Sequence, residues 1–510
     1  MGVLPCRRLG PVLVGASLLA LAASAVAAKT SWRKVTETDL HFIHDTLREA
    51  HPGYIDQSAA GEAFRAWLET GLGDSLKLAQ RVRSRGEFEA VLRFYGSGFR
   101  DGHLGVGTNA GVTQSAWWTT GWLVAWRNGE YVVSQHLPGN KANLPPIGSR
   151  VLRCDGLTPA KRLEREVAPF FDRRVELESV ASGEAQFLTL NSRTLLPWRK
   201  PTKHCVLALP TNEIRSYRLQ WRRLEAMADE AGQSVKRPSM GVVDLGEGRF
   251  WVHASNFWLK GKDIEDYQAM LARLPGLREA RLVVFDLRGN EGGDGGLGMA
   301  LLNALLEPGY VQYYLDRSGY SRAYAEYRVS SIALTVFAEQ YLARAKSLDG
   351  ESGDGYLEIV RQRDRMRDAL AQGKEWLIQW DNGAQPARES PEPLGSKPQL
   401  AILTHSRCAS ACLDFVDYAK ALPGMVHLGR PTSADTVFME RGIAQLPSGL
   451  GSLYFPFKVW RNRPRGNNQP YLPDELFSGD IDDTAAVQTW VLEQMAAREG
   501  AAKAVAETSR

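Results

Sequence analysis

The chain has few cysteines for its length, and few histidines. Five cysteines and 9 histidines occur among 510 residues. No second Cys/His pair accompanies the C-x-x-x-C spacing of Cys408 and Cys412, so a zinc site is not indicated, and we predict no metal and no other cofactor. In an oxidising compartment one disulfide among Cys154, Cys205, Cys408 and Cys412 is plausible, although the sequence does not assign its pairing. For Cys408 and Cys412 we favour small buried thiols.

The chain also lacks a strong excess of either charge. Lysine and arginine total 62 against 58 acidic residues, and the net charge is +4. Arg7 and Arg8 supply two of these positive charges. The remaining chain is close to neutral, which gives no electrostatic reason to expect a nucleic-acid partner.

Apart from the N-terminus, no apolar run is long enough to span a membrane. Arg7 and Arg8 precede the short apolar run 12–23, and the small residues 25–27 resemble a signal-peptidase cleavage site. We therefore predict a signal peptide over residues 1–28, with an uncleaved anchor as the alternative. The run is short for a membrane span. The expected mature protein is soluble, periplasmic or secreted, and has no stable membrane span.

The spacing of apolar residues suggests several regions. Residues 29–105 show helical periodicity, and strands alternate with helices from about Met240 onward, which favours an α/β fold. We predict an α/β core over 201–485 with a helical insertion at about 320–395. A C-terminal helix or tail is expected over 486–510.

A small β region is predicted over residues 106–200. Two strand-like runs within 122–136 are joined at Asn128-Gly129, which is a hairpin signal. A Pro/Gly turn, a short strand and an Asp-Gly turn follow at 145–156. This order resembles a PDZ-like module, and a generic small β domain is the alternative.

The stretch LVVFDLRGNEGGDGGLG, residues 282–298, contains a buried-looking strand and six glycines. Gly293, Gly295 and Gly298 match G-x-G-x-x-G, which is found in dinucleotide-binding proteins. That fingerprint normally follows its strand directly, whereas here the residues 286–292 intervene. We therefore favour a loop whose exposed backbone amides hold a developing negative charge, and a dinucleotide enzyme remains a distant alternative.

A second motif, CASAC, places Ser410 between a predicted strand and a predicted helix. Such a turn exposes the serine and directs backbone amides at the group it attacks. Serine is a weak nucleophile alone, so it needs a base and an anion-stabilising pocket.

Together these motifs resemble the tail-specific (C-terminal-processing) serine peptidases and the related tricorn core protease. The resemblance extends from about residue 31 to 483, and it rests on the order of several short motifs. These are HPG (51–53), DGH (101–103), the PDZ-like segment, DLRGNEGG (286–293), SAC (410–412) and GRPT (429–432). It implies an α/β spiral core like that of caseinolytic protease and crotonase.

The resemblance also implies roles for individual residues. Ser410 corresponds to the nucleophile. The backbone amides of Ala411 and Gly292, or of Gly293, correspond to the oxyanion hole. Asp286 and Arg288 would shape the glycine loop without acting chemically.

One departure concerns the general base. The Ser/Lys branch of the family has a lysine after G-x-P-T-x-G, and this chain has Asp435 there. The tricorn-like branch uses a histidine from the N-terminal part, and His103 lies at that place. A neutral imidazole, with an unperturbed pKa of about 6.5, is a competent base at neutral pH. The residue that orients it is left open among Asp101, Asp435 and Asn467.

Three other features have ordinary structural interpretations. His405 is expected to end a strand and face away from Ser410. His51 is expected to lie at a helix end. The basic residues between Lys458 and Arg465 are expected to form a solvated strand face, with anion or substrate binding as the lesser alternative.

The leading hypothesis is an exported serine peptidase that cleaves peptide or protein substrates. The alternative is a catalytically inactive peptide- or ligand-binding protein on a peptidase-like scaffold. It is motivated by two missing residues that the resemblance implies: the lysine of the Ser/Lys branch, and the glutamate that the tricorn-like branch has shortly before a P-D pair near the end of the chain. The sequence identifies neither the substrate nor the oligomeric state.

Overall fold

The computed structural model describes residues 31–108, 117–138, 144–224, 238–379 and 398–508. The predicted signal peptide (1–28) and the end of the predicted insertion (380–395) lie outside these residues. No helix in the described ranges is both long and apolar enough to cross a membrane.

The helices cluster near the N-terminus, around the central sheet and in the segment between residues 331 and 371. In chain order they are α1 (Trp32–Ala50), α2 (Ala59–Ala79), α3 (Arg85–Ser97), α4 (Pro159–Glu166), α5 (Glu178–Glu184), α6 (Lys262–Arg273), α7 (Gly295–Leu306), α8 (Pro308–Arg317), α9 (Ser331–Thr335), α10 (Leu342–Asp349), α11 (Asp354–Ala371), α12 (Ala411–Lys420) and α13 (Thr484–Thr508).

The strands form several sheets. In chain order they are β1 (Gly105–Thr108), β2 (Trp117–Thr119), β3 (Trp122–Arg127), β4 (Glu130–His136), β5 (Arg150–Cys154), β6 (Leu190–Ser192), β7 (His204–Ala208), β8 (Ile214–Arg218), β9 (Arg222–Leu224), β10 (Gly241–Asp244), β11 (Arg249–His253), β12 (Leu282–Asp286), β13 (Tyr324–Arg328), β14 (Trp376–Ile378), β15 (Gln399–Thr404), β16 (Met425–Gly429), β17 (Phe438–Gln445), β18 (Gly451–Arg461) and β19 (Glu475–Leu476).

The central sheet has the strand order β10-β11-β12-β15-β16-β19. β10 pairs antiparallel with β11, and the remaining pairs are parallel. Val283 and Phe285 of β12 pack in the core that includes α7 and α12. Leu282 and Val284 face the opposite way and pack in the core that includes α13. Because both faces are covered, β12 is apolar at every position before Asp286, as is typical of parallel strands in α/β proteins.

A second sheet joins distant parts of the chain. β18 pairs with β1, β13 and β17. Its apolar side chains share a core with α1, α2 and α3. β1 follows α3 after a short turn, so this pairing anchors the turn at residues 101–104 against the second half of the chain.

The small antiparallel sheet has the strand order β3-β4-β5-β7-β8. The predicted hairpin is present, with Asn128 and Gly129 both at positive φ between β3 and β4. The sheet continues to the end of β8 at Arg218, past the predicted limit at residue 200. Its core is shared with α4.

The structure contains two disulfides, Cys154–Cys205 and Cys408–Cys412. The first joins residues that are direct partners in β5 and β7. The interpretation of Cys408 and Cys412 as free buried thiols is therefore wrong. The two residues flank a strand-to-helix turn, which brings their α-carbons to 5.4 Å, and this is within the range that a disulfide bridges.

Candidate active site

The site lies where two neighbouring strands of the central sheet end. β12 and β15 are parallel, with Asp286 opposite Leu403, so their carboxyl ends meet at one edge. The glycine loop follows β12 and the segment containing Ser410 follows β15. Loops at this edge of an open parallel sheet are the usual position of a ligand site.

Ser410 is the residue that immediately precedes α12, and its backbone is unusual. Its φ is 55° and its ψ is −128°, a region that residues with a side chain rarely occupy. Leu413 and Asp414 donate backbone hydrogen bonds to its carbonyl oxygen. The serine therefore lies on a sharp strand-to-helix turn, as the CASAC motif predicts.

His103 lies beside Ser410 although 307 residues separate them in the chain. Its Nε2 is 3.1 Å from the Oγ of Ser410. The side chain is mostly buried, with 15% of its area exposed. The turn before β1 therefore supplies the group that the sequence analysis assigned as the base.

Asp101 is the carboxylate nearest the other ring nitrogen of His103. Its Oδ1 lies 3.7 Å from Nδ1 and accepts the backbone amide of His103 at 2.7 Å. Its Oδ2 accepts the hydroxyl of Thr436 at 2.9 Å. Burial raises the pKa of Asp101, and the nearby His103 partly offsets this effect.

The other two candidates for orienting the histidine make different contacts. Asp435 Oδ2 accepts the backbone amide of Ser410 at 2.9 Å and an Arg465 N–H at 3.2 Å. Burial acts to raise the pKa of Asp435, but His103 and Arg465 outweigh it and lower that pKa. The side-chain oxygen of Asn467 accepts the amide of Val437. Asn467 thus binds the backbone just before β17. Neither Asp435 nor Asn467 contacts Nδ1 of His103.

The glycine loop lies directly against Ser410. A β-carbon at Gly292, where φ is 101°, would lie 2.7 Å from the β-carbon of Ser410 and 3.0 Å from the amide nitrogen of Ala411. Position 292 must therefore be glycine if the space beside Ser410 is to stay open.

The amides around this space differ in their partners. The amide of Gly292 donates to the side-chain oxygen of Asn290 at 2.9 Å, so it is already occupied. Asp294 donates its amide to the carbonyl of Phe257, which leaves the amide of Gly293 on the other side of this extended segment. Among the described residues, the backbone amides of Gly293 and Ala411 donate no hydrogen bond.

Asn290 is a residue that the sequence analysis did not select. Besides accepting the Gly292 amide, it donates to the carbonyl of Ala254 at 2.7 Å. Its position within the RGN triplet was the one available signal. Thr436, which holds Asp101, had no recognisable signal in the sequence.

Asp286 and Arg288 shape the base of the loop, as expected. Asp286 is fully buried and accepts from the backbone and guanidinium of Arg288 and from the indole of Trp251. Arg288 also donates to the carbonyl of Ile481. These contacts fix the loop after β12 and leave neither group free to act on a substrate.

The start of α7 does not suit a dinucleotide phosphate. Asp294 precedes the helix, and its side chain accepts the amide of Gly296. A carboxylate already occupies the end of the helix that would bind the pyrophosphate. No group of residues suited to hold a metal ion occurs in the ranges that the structure describes.

His405 and His51, which the sequence analysis also considered, have structural positions. His405 is buried and accepts the amide of Gly289 at 3.4 Å, and burial lowers its pKa to about 3. His51 precedes a short 3₁₀ turn and accepts the amide of Gly53. Their predicted structural roles are confirmed by these contacts.

The prediction of a solvated basic strand face is wrong. Lys458 and Arg465 are buried, with 5% and 2% of their area exposed. Lys458 pairs with Glu440, and Arg465 pairs with Asp414, Asp417 and Asp435. Carboxylates balance these positive charges: Glu440 of β17 pairs with Lys458, and Arg465 pairs with two residues of α12 and with Asp435 of the β16–β17 connection.

One family model matches part of the chain. Residues 251–467 match the model of Peptidase family S41. This span contains Ser410 and the glycine loop but not His103. The match supports a serine peptidase. No curated protein matches the chain.

Solved structures of CPAF share the fold at low sequence identity. The crystal structure of mature CPAF matches with 13% identity, 88% of this chain and 94% of that chain covered, and a TM-score of 0.56. The structure of mature CPAF complexed with lactacystin matches with 12% identity, 88% and 95% coverage, and a TM-score of 0.55. The crystal structure of the tricorn protease matches with 11% identity, 91% and 36% coverage, and a TM-score of 0.38. The chain therefore has a mixed α/β fold like that of CPAF.

Proposed function

We propose that this protein is a serine peptidase that hydrolyses peptide bonds of peptide or protein substrates. The observation that carries the proposal is the 3.1 Å approach of His103 Nε2 to Ser410 Oγ at a strained strand-to-helix turn. A nucleophile and a base within hydrogen-bond reach, next to glycine-rich backbone, are the parts that acyl transfer requires.

In the proposed reaction His103 accepts the proton of Ser410 as Oγ attacks the substrate carbonyl. The negative oxygen that forms is held by the backbone amides of Ala411 and Gly293. We favour Gly293 over Gly292 because the Gly292 amide already donates to Asn290. His103 then protonates the leaving amine, and a water molecule releases the acyl group by the reverse sequence.

We assign Asp101 as the residue that orients His103. It is the candidate nearest to Nδ1, and Thr436 together with the His103 amide holds its carboxylate in place. Asp435 instead holds the amide of Ser410. This role explains why an aspartate can occupy the position where the Ser/Lys branch has its lysine.

The finer parts of the hypothesis belong to the same proposal. With His103 as the base, we propose a protein of the tricorn-like branch with a spiral core like that of caseinolytic protease and crotonase. The small antiparallel sheet with α4 is proposed to be the PDZ-like module. Export to the periplasm or outside the cell is proposed from the N-terminal sequence, and two disulfides are consistent with an oxidising compartment.

The test is covalent labelling by a fluorophosphonate probe, read by intact mass and peptide mapping. We expect one label at Ser410, none in Ser410→Ala, and a rate at least about a hundredfold lower in His103→Asn. If Ser410 stays unlabelled between pH 6 and 9 in folded protein, the inactive binding protein becomes the better hypothesis.

A further inference from the structure

The Cys408–Cys412 disulfide encloses the proposed nucleophile. Its five-residue ring has Ser410 at the centre and contains the amide of Ala411, which we propose as an oxyanion donor. Both sulfur-bearing residues are fully buried. The bridge therefore lies within the turn itself and not on a neighbouring surface.

The backbone of Ser410 needs external restraint. A residue with a side chain at φ 55° persists only where the surroundings fix it. Two hydrogen bonds from the 433–435 segment contribute: Asp435 accepts the Ser410 amide, and Ser433 donates its amide to the carbonyl of Cys408. Hydrogen bonds of this kind exchange, whereas a covalent bridge between the residues two before and two after Ser410 does not.

From this placement we propose that the Cys408–Cys412 disulfide positions Ser410 for reaction with substrate. It does so by keeping the turn in the conformation that directs Oγ at His103 and leaves the Ala411 amide free. The inference rests on the proposed function, and it assigns a positioning role and no chemical step to the two cysteines. Displacement of a reacting atom by about 1 Å can lower a rate about a hundredfold, so losing the bridge should slow labelling strongly.

The chain offers a matched control. Cys154–Cys205 joins paired strands of the small sheet and contacts neither the glycine loop nor the turn at Ser410. Removing it tests what the loss of a buried disulfide does in general. If the effect of the Cys408–Cys412 bridge on Ser410 is specific, labelling of Ser410 should not slow in that control.

The experiment compares wild type, Cys408→Ala/Cys412→Ala and Cys154→Ala/Cys205→Ala as full chains. Labelling by the fluorophosphonate is separated into the maximal rate kinact and the half-saturating concentration KI, with thermal unfolding measured for each protein. We expect kinact of the first variant to fall at least tenfold with KI and the pH profile unchanged, because His103 stays in place. A fall of less than threefold, or an equal fall in the control, overturns the proposal.

If Cys408→Ala/Cys412→Ala does not fold, a second measurement tests the same bridge by reducing it in the folded control variant. Cys154→Ala/Cys205→Ala is treated with dithiothreitol, whose two thiols become a cyclic disulfide as Cys408–Cys412 becomes two thiols. Labelling should slow as the free thiols appear, and an unchanged rate at full reduction overturns the proposal.

The crystal structure of Cys408→Ala/Cys412→Ala separates this inference from the proposed function. A wild type that does not label contradicts the proposed function alone. In that case the proposal stands if Ser410 in the variant leaves the positive-φ region or its Oγ moves beyond 3.5 Å from His103 Nε2. It is overturned if the turn is unchanged.

Discussion

His103 has one ring nitrogen at hydrogen-bond distance from Ser410 and the other 3.7 Å from a carboxylate. The second distance is longer than a hydrogen bond, and the described structure offers Nδ1 no other partner. Asp101 itself is held on both oxygens, by the His103 amide and by Thr436. A small rotation of the imidazole is therefore enough to complete the arrangement, and such contacts commonly tighten when substrate binds.

The first prediction compares Asp101 with Asn467 as the residue that orients His103. Asp101→Asn should lower kinact by about a hundredfold or more, since losing the aspartate of a Ser-His-Asp triad costs about 10⁴. Asn467→Ala should leave kinact within about threefold, because its side chain accepts the amide of Val437 and makes no hydrogen bond to His103 among the described residues. Burial raises the pKa of Asp101, so in wild type the carboxylate becomes protonated at higher pH than an exposed aspartate, and labelling should fall on the acid side. Equal losses in both variants would contradict the assignment.

The second prediction concerns the glycine that faces the nucleophile. Gly292→Ala should abolish labelling, because the new methyl group would lie 2.7 Å from the β-carbon of Ser410 and the residue would keep a positive φ. Gly295→Ala is the control, since its β-carbon meets only the Asp414 carboxylate at 3.4 Å and alanine favours the helix. Both are measured by labelling and thermal unfolding. An active Gly292→Ala protein would show that the loop does not approach Ser410 this closely.

At the level of elements, the sequence predicts the strands of the central sheet well. It predicts poorly which distant residues contact the loops of that sheet. β12 and β15 are largely apolar runs that end at Asp286 and Thr404, so their type and approximate limits follow from local pattern. The approach of His103 depends on the pairing of β1 with β18 across more than 300 residues, which no local pattern encodes. For that part the family resemblance supplied the assignment.

The two misjudged features fail for the same physical reason. Lys458 and Arg465 belong to a stretch in which basic residues alternate with others, as on a solvated strand face, but their burial depends on carboxylates elsewhere in the chain. The Cys408–Cys412 bridge depends on the φ and ψ of the turn between them. Neither a distant partner nor a rare backbone conformation can be deduced from composition and spacing.

The third prediction compares the stability that the two disulfides supply. The cysteines are 51 residues apart in one and 4 apart in the other. Chain-entropy arguments then assign about 4 kcal/mol to Cys154–Cys205 and about 2 kcal/mol to Cys408–Cys412. In denaturant unfolding, Cys154→Ala/Cys205→Ala should lose more unfolding free energy than Cys408→Ala/Cys412→Ala. Only Cys408→Ala/Cys412→Ala should lose labelling. A reversed order of stability would indicate that the short bridge has mainly a structural role.

At the scale of the whole molecule, ion pairs connect the surroundings of Ser410 to Arg465 in the C-terminal part of the chain. Arg465 contacts Asp414 and Asp417 of α12 and also Asp435, which holds the Ser410 amide. Burial raises the pKa of Asp414 to about 6, against the opposing effect of Arg465. Removing Arg465 would take away the guanidinium that pairs with all three of these buried carboxylates, so its loss should affect folding and activity together.

The last prediction concerns the pH at which the fold is most stable. Glu184 of α5 is 5% exposed, and burial raises its pKa to about 8 from an ordinary 4.5. A carboxyl with a raised pKa stabilises the fold fully below its unfolded value, and this contribution disappears as the pH rises through the folded value. The unfolding free energy should therefore fall by up to a few kcal/mol between pH 4.5 and 8.

Two buried histidines act in the opposite direction. Burial lowers the pKa of His405 to about 3 and that of His427 to about 4, from 6.5. Their contribution is complete above pH 6.5 and is lost as the pH falls toward the folded values. The sum of these three contributions gives a maximum of stability near pH 6.5, with a loss on each side. Denaturant unfolding of wild type and Glu184→Gln at pH 5, 6.5 and 8.5 measures this, and we expect the substitution to remove most of the alkaline loss and leave the acid loss unchanged. An alkaline loss of equal size in both proteins would show that Glu184 is ionised in the folded state without cost.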